Sequence, residues 1–251
     1  KVGESNSLFQ LAHPREVRSV CWSPDSRHVV TVATDNMVRI WSATSGSLEA
    51  EISSVTSQTA WGPAAIAWNP LKPVLAVASH SGGSGLLDLN THSYSEVGAG
   101  FQCSQEGVAW SPDGKQILFA SGCSELAYGS ATSGGLIRAE GHSGPVEWLP
   151  DSRRVVTGQR GVRPLQAVDT RTGQRLGILY PEMLSGGWLA VGADGHYRGS
   201  DGIHQEIAYV AVLKDGTQLT LTPGEFEAKY GWKNDPAKAS FLKLRDPRRR
   251  N

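Results

Sequence analysis

The chain has 251 residues, and Lys plus Arg and Asp plus Glu both total 24, so its formal charge is zero. With no overall basic excess it has no broad electrostatic means of holding a phosphate backbone, which argues against nucleic-acid binding. The length suits a single all-β domain, and 29 glycines and 13 prolines suit strands joined by turns. Arg245, Arg248, Arg249 and Arg250 make the one local basic run, which reads as a solvated tail. No apolar run approaches the roughly 18 residues that cross a bilayer, and the N-terminus is not a signal peptide, so no membrane partner is expected. Cys21, Cys103 and Cys123 are odd in number and lack metal-ligand spacing; buried free thiols in a reducing, cytoplasmic setting are expected, with no metal and no cofactor. The chain opens on Lys1 rather than methionine, as a processed product or a piece of a longer polypeptide does.

In chain order, Lys1 to Gln10 offers one short apolar element, Leu8-Phe9-Gln10-Leu11. The run from Leu11 to Glu51 then gives apolar segments at Val17–Trp22, His28–Ala33, Met37–Trp41 and Leu48–Ile52. Each is short and rich in β-branched residues, as strands of a meander are. Ser23-Pro24-Asp25-Ser26 separates the first two: proline presets φ, and the aspartate bonds its own backbone two residues on.

That landmark recurs. Trp22-Ser-Pro-Asp25 returns as Trp68-Asn-Pro-Leu71, Trp110-Ser-Pro-Asp113 and Trp148-Leu-Pro-Asp151, and more weakly as Trp188 followed by Gly192-Ala-Asp-Gly195. The tryptophan spacings of 46, 42, 38 and 40 residues fall within or near the 40–45 of one known repeat type. Further strands are expected at Ala65–Trp68, Val74–Ser79, Gly85–Leu89 and around Tyr94; at Gly107–Trp110, Gln116–Ala120, Glu125–Tyr128 and Leu136–Ala139; and at Val146–Trp148, Arg154–Thr157, Leu165–Val168 and Arg175–Leu179. A fifth unit departs from the pattern, with four strands expected over Gly187–Val191, His196–Gly199, Ile207–Leu213 and Thr217–Leu221; after it Thr222-Pro223-Gly224-Glu225 opens a helix, with threonine at the cap, proline first and glutamate third. Phe226 and Tyr230 lie four apart on it and share a face.

The first repeat resembles a WD40 unit, because His13, Thr31, Asp35 and Trp41 match the hydrogen-bonded set such units carry. The resemblance implies that Asp35 accepts from the His13 ring, that the other side of the ring meets Thr31, and that the Trp41 indole closes the chain; Ser42 replaces the aspartate that usually follows the tryptophan. The stretch from about Gly186 to Lys238 resembles the closing segment of large bacterial WD40-repeat proteins, some with a protein kinase or other effector domain at the N-terminus. The implied fold is an all-β, WD40-like β-propeller with about five recognisable four-stranded blades and a short C-terminal helix. Its parts are 1–10 as the outer strand of a preceding or closing blade, blades at 11–55, 56–99, 100–141 and 142–183, an atypical fifth blade at 184–222, and a helix and basic tail at 223–251. Closure as a five-bladed ring, blades preceding Lys1, and completion by a second copy all remain open; a homo-oligomer formed through blade edges follows from the last.

A rim of many loops without a preorganised nucleophile favours recognition over catalysis. The expected function is a noncatalytic protein-interaction or sensing scaffold within a bacterial multidomain protein, binding a protein or peptide. The contact candidates lie at the end carrying His13 and Asp35: Arg15, Glu16, Asn36, Ser124, Glu125 and Arg160. A small-molecule hydrolase or isomerase with a polar central pocket is the rival, for which the first strands supply mainly Glu106 and Glu147; an architectural or oligomerisation platform is the third reading. The polar cluster of Tyr197, Arg198, Asp201, His204 and Glu206 lacks a nucleophile turn and reads as a structural lock.

Overall fold

The structure, a computed structural model, describes residues 8–53, 63–80, 83–97, 104–122, 125–131, 136–140, 146–158, 164–183 and 186–239, with the backbone alone at 125 and 136–140. The chain divides into two compact bodies, Lys1–Thr157 and Gly158–Asn251.

The first body holds three four-stranded antiparallel meanders in sequence. They are β1 (Val17–Trp22), β2 (His28–Ala33), β3 (Met37–Ser42) and β4 (Leu48–Ser53); β5 (Pro63–Trp68), β6 (Val74–Ser79), β7 (Gly85–Asp88) and β8 (Tyr94–Glu96); and β9 (Gln105–Trp110), β10 (Gln116–Ser121), β11 (Glu125–Ser130) and β12 (Leu136–Glu140). β13 (Val146–Trp148) and β14 (Arg154–Thr157) form a further antiparallel pair. The inner strands follow one another in space: β1 lies beside β5, β5 beside β9, and β9 beside β13.

Second strands such as β2 and β6 are apolar on both faces because both faces are covered. Val30, Val32, Val38 and Ile52 of the first sheet pack on Ile66, Leu75, Val77 and Leu87 of the second. Ala76, Ala78 and Val97 of the second then pack with Trp110, Ile117 and Phe119 of the third. Each fully buried valine, leucine or phenylalanine contributes about 1.5–3 kcal/mol, so these faces are what hold successive sheets together.

The turns follow the sequence. The Ser23 hydroxyl donates to Asp25 at 2.6 Å and accepts the His28 amide at 2.9 Å, while Asp25 accepts the Arg27 amide at 3.0 Å. Ser111 and Asp113 repeat this with the amides of Gln116 at 2.9 Å and Lys115 at 3.1 Å. Leu8–Leu11, by contrast, is not a strand. Phe9 instead sits on the β3–β4 turn, where a Cβ on Gly46 would fall 2.6 Å from its ring.

In the second body β15 (Leu165–Asp169), β16 (Arg175–Tyr180), β17 (Leu189–Gly192) and β18 (Tyr197–Gly199) pair in succession, and β19 (Tyr209–Val212) pairs with β20 (Gln218–Leu221) as a hairpin. The expected fifth four-stranded unit is therefore divided: its first two strands continue from β16 and its last two stand as a separate hairpin. The Met183 amide donates to the Gly187 carbonyl, and β17 lies directly beside β16 with Tyr180 opposite Leu189.

The helix α1 (Pro223–Tyr230) starts as read, with Thr222 and Glu225 forming a reciprocal capping box, and ends at Gly231 in the left-handed region. Phe226 and Tyr230 do share a face, with ring centroids 4.8 Å apart. After the helix, Asn234 exchanges two hydrogen bonds with the Tyr197 backbone, at 2.8 and 2.9 Å, and the Asp235 amide donates to His196 Nδ1 at 2.9 Å. Trp232 stacks on His196 at 4.7 Å. The lock of this region thus runs through His196, Tyr197 and Asn234; Asp201 and His204 are exposed.

Candidate functional site: the inter-sheet grooves

At one end of the first sheet, three of the four residues in the polar set meet. His13 Nδ1 faces the Leu11 carbonyl at 2.9 Å and so carries the proton. Nε2 then accepts from the Thr31 hydroxyl at 2.7 Å, and the Trp41 indole N–H donates to the same oxygen at 2.9 Å.

Asp35 is bonded elsewhere. Its two oxygens accept Arg39 Nη1 at 3.2 Å and Nη2 at 2.7 Å, and it accepts the Met37 amide at 3.1 Å. Arg39 also reaches Glu51 at 2.7 Å, directly opposite it on β4. The expected His13–Asp35 bond is replaced because the Arg39 side chain, 5% exposed, requires a paired carboxylate, and a bidentate guanidinium outcompetes a neutral imidazole. The Arg39 hydrogen bonds hold the Asp35 carboxyl below the usual carboxylate range. Sequence reasoning missed Arg39, although an arginine inside an apolar strand, with acids four residues earlier and opposite, was a signal.

Of the predicted contact residues, Arg15 and Glu16 are exposed ahead of β1, with Glu16 paired to Arg18 at 3.6 Å. Asn36 is half-buried in the β2–β3 turn at a φ of 62°. Ser124, Arg160 and the Glu125 side chain lie outside the described residues.

Two grooves lie at the opposite end, by the Trp-Ser-Pro-Asp turns. A groove of about 590 Å³ opens between the first and second sheets, walled by Ile40, Trp68, Leu71 and Leu89. On its rim His28 Nε2 meets Glu49 at 3.1 Å, and the His28 ring lies parallel to Trp68 with centroids 6.5 Å apart. A second groove of about 500 Å³ lies between the second and third sheets, walled by Leu71, Val74, Leu86 and Trp110. Leu71 borders both and is 71% exposed.

Its exposure has a local cause. In the other three turns that position is an aspartate whose carboxylate accepts main-chain amides. In the second turn Asn69, two residues earlier, accepts the amides of Leu71 and Lys72 at 2.9 and 3.0 Å and donates to the Gly114 carbonyl at 2.9 Å. Position 71 is thereby released from turn chemistry and carries an apolar side chain into solvent between two apolar grooves.

Among the described residues no three His, Cys, Asp or Glu side chains stand together as a metal site. No helix among them is long and apolar enough to cross a membrane. Burial pushes the Cys21 thiol up to about 12, so it is neutral and inert; Cys103 and Cys123 lie outside the described residues.

Stacked antiparallel meanders with a recurring Trp-turn landmark define a propeller-like all-β fold. The family described as WD domain, G-beta repeat matches residues 5–42, so the segment leading through β3 is similar to a WD40 repeat. A solved chain of Kuenenia stuttgartiensis hydrazine synthase is similar in fold, with a TM-score of 0.57 and 15% identity over 87% of this chain and 78% of that one. None of the curated proteins matches in sequence.

Proposed function

We propose that the chain is a noncatalytic interaction module that binds a protein or peptide across the two grooves flanking Leu71. A WD40 repeat points in general to a protein-interaction scaffold. The observation that carries the specific reading is Leu71, an exposed leucine between two apolar walls in a turn where three sister turns keep aspartate. Apolar anchors beside preformed grooves are where binding energy concentrates. The rim pair His28 and Glu49, with Asp25 3.9 Å from the same ring, adds polar groups that orient a partner. Arg15, Glu16 and Asn36 are secondary contacts at the opposite end. The module serves a larger bacterial polypeptide in a reducing, cytoplasmic setting, a reading supported by the likeness of Gly186 to Lys238 to the ends of such proteins.

Random-peptide phage display against the full chain tests this. Peptides with large apolar residues are expected to enrich, and Leu71→Asp, which restores the sister-turn residue, is expected to weaken them at least tenfold while leaving the circular-dichroism spectrum unchanged. Undiminished affinity in Leu71→Asp overturns the reading.

A further inference from the structure

We propose that the two grooves flanking Leu71 differ in charge and select an extended protein segment with a fixed charge order. Its apolar residues are bounded by a basic residue at the first sheet and an acidic residue at the third. This order rests on the Leu71 reading above and adds the partner's chemistry to it.

Both grooves are formed within the first body, from its three meanders and the turns between their strands. Their walls are alike. Ile40, Trp68 and Leu89 line one, Val74, Leu86 and Trp110 line the other, and Leu71 belongs to both. Walls of this kind accept any large apolar side chain, so orientation and selectivity come from the polar groups around them.

Those polar groups differ. The first groove carries Asp25, in the β1–β2 turn, and Glu49, on β4, both exposed. Asp25 accepts the Ser23 hydroxyl and the Arg27 amide through Oδ1 alone, and Glu49 meets His28 through Oε2 alone. One oxygen of each carboxylate is therefore uncommitted among the described residues. The second groove carries the exposed Lys115, in the β9–β10 turn, and shares the exposed Lys72, beside Leu71, with the first. Among the described residues neither ammonium group has a salt-bridge partner. The acid of the second groove, Asp113, is half-buried and bonded to the Ser111 hydroxyl and the Lys115 amide. With His28 neutral, two carboxylates oppose one ammonium group in the first groove, and two ammonium groups oppose one carboxylate in the second. Charge thus runs from negative on the first sheet, past Lys72 on the second, to positive on the third.

Charge complementarity sets the occupant: a cation beside Asp25 and Glu49, large apolar residues on either side of Leu71, and a carboxylate beside Lys115. Packed sheets lie roughly 10 Å apart and an extended chain advances about 3.3 Å per residue, so the partner's two charges fall about six residues apart. Charges at the margin of a binding surface act mainly on orientation and on the rate of encounter, while the apolar anchors supply affinity.

The test sequences the peptides that random-peptide phage display selects on the full chain, and measures the best of them by fluorescence anisotropy. Selected peptides are expected to carry Lys or Arg and Asp or Glu about six residues apart, flanking large apolar residues. Glu49→Lys is expected to weaken binding about fivefold, and glutamate in place of the peptide's basic residue to restore it. Lys115→Glu is expected to weaken it by about as much, with restoration by lysine in place of the peptide's acidic residue. Restoration in the crossed pairs overturns the order. Glu49→Gln and Lys115→Gln, each expected to lose about twofold, keep the test open where a reversed charge disturbs folding. Peptides that lose affinity in Leu71→Asp yet show no charge order, and bind Glu49→Lys and Lys115→Glu as before, overturn this proposal and leave the Leu71 reading standing. Undiminished binding in Leu71→Asp overturns both.

Discussion

The first and third sheets share a strand order and the same serine–aspartate turn, yet they fill the centre of the sheet with different chemistry. In the first, Thr31 stands opposite Arg39, and the arginine ties the β2–β3 turn to β4 through Asp35 and Glu51. In the third, the equivalent pair is Phe119 opposite Ala127, both essentially inaccessible. One backbone plan thus accepts either a buried guanidinium with two carboxylates or an aromatic ring with a methyl group. The polar set is a means of fixing one turn and is not a condition for the sheet.

The largest effects test that equivalence. Phe119→Ala is expected to cost about 3–4 kcal/mol, since it removes a ring from a closed core and leaves a cavity. Arg39→Met is expected to cost about 3 kcal/mol, at the low end for a broken buried pair, because Asp35 and Glu51 are 17% and 41% exposed and water partly compensates them. Adding Asp35→Asn and Glu51→Gln to Arg39→Met is expected to recover most of that loss. Urea unfolding midpoints measure all three. A loss under about 0.5 kcal/mol for Arg39→Met would show the network to be a solvated surface array and break the comparison.

Acid distinguishes the sheets more finely. Asp35 is held down chiefly by Arg39, and Asp113 chiefly by the Ser111 hydroxyl. A carboxylate whose folded pKa lies below its unfolded value of about 3.9 stabilises the protein above that value, and the gain is lost as pH falls through the folded pKa. Urea midpoints are therefore expected to stay level from pH 7 to about 5 and to fall below about pH 4. Arg39→Met is expected to shrink that fall through Asp35, and Asp113→Asn to remove the part from the third sheet. An acid limb unchanged by both variants would place the titrating groups elsewhere.

Strands and turns were legible in the sequence because both are local: alternating or continuous β-branched runs, and Ser-Pro-Asp with its side chain bonding two residues on. The helix was legible for the same reason, since Thr222, Pro223 and Glu225 carry their own capping geometry. The partner of Asp35 was not, because it depends on which of two bases, His13 or Arg39, is more deeply buried once β3 and β4 pair. Nor was the division of the fifth repeat, because pairing β17 with β16 and β19 with β20 is a choice of partners that strand propensity does not encode. The groove was half-visible: Trp68-Asn-Pro-Leu71 departs from its sister turns in the sequence, but only the Asn69 bonds explain why the leucine is free to face solvent.

The smallest expected effect concerns what the two sheets share. Ser23 and Ser111 are both buried, each accepting an amide five residues on at 2.9 Å and donating to its aspartate at 2.6 Å. Replacing either by alanine leaves one buried N–H without its acceptor and frees the aspartate, a loss of about 1 kcal/mol. Because the turn chemistry is the same, Ser23→Ala and Ser111→Ala are expected to shift the urea midpoint equally, whatever fills the centre of each sheet. A clearly larger cost in the third sheet would mean that Ser152, which accepts the Asp113 amide at 3.1 Å and receives the Gln116 side chain on its carbonyl at 3.1 Å, makes that turn part of a longer bonded chain. The turn would then be as particular to its sheet as Arg39 is to the first.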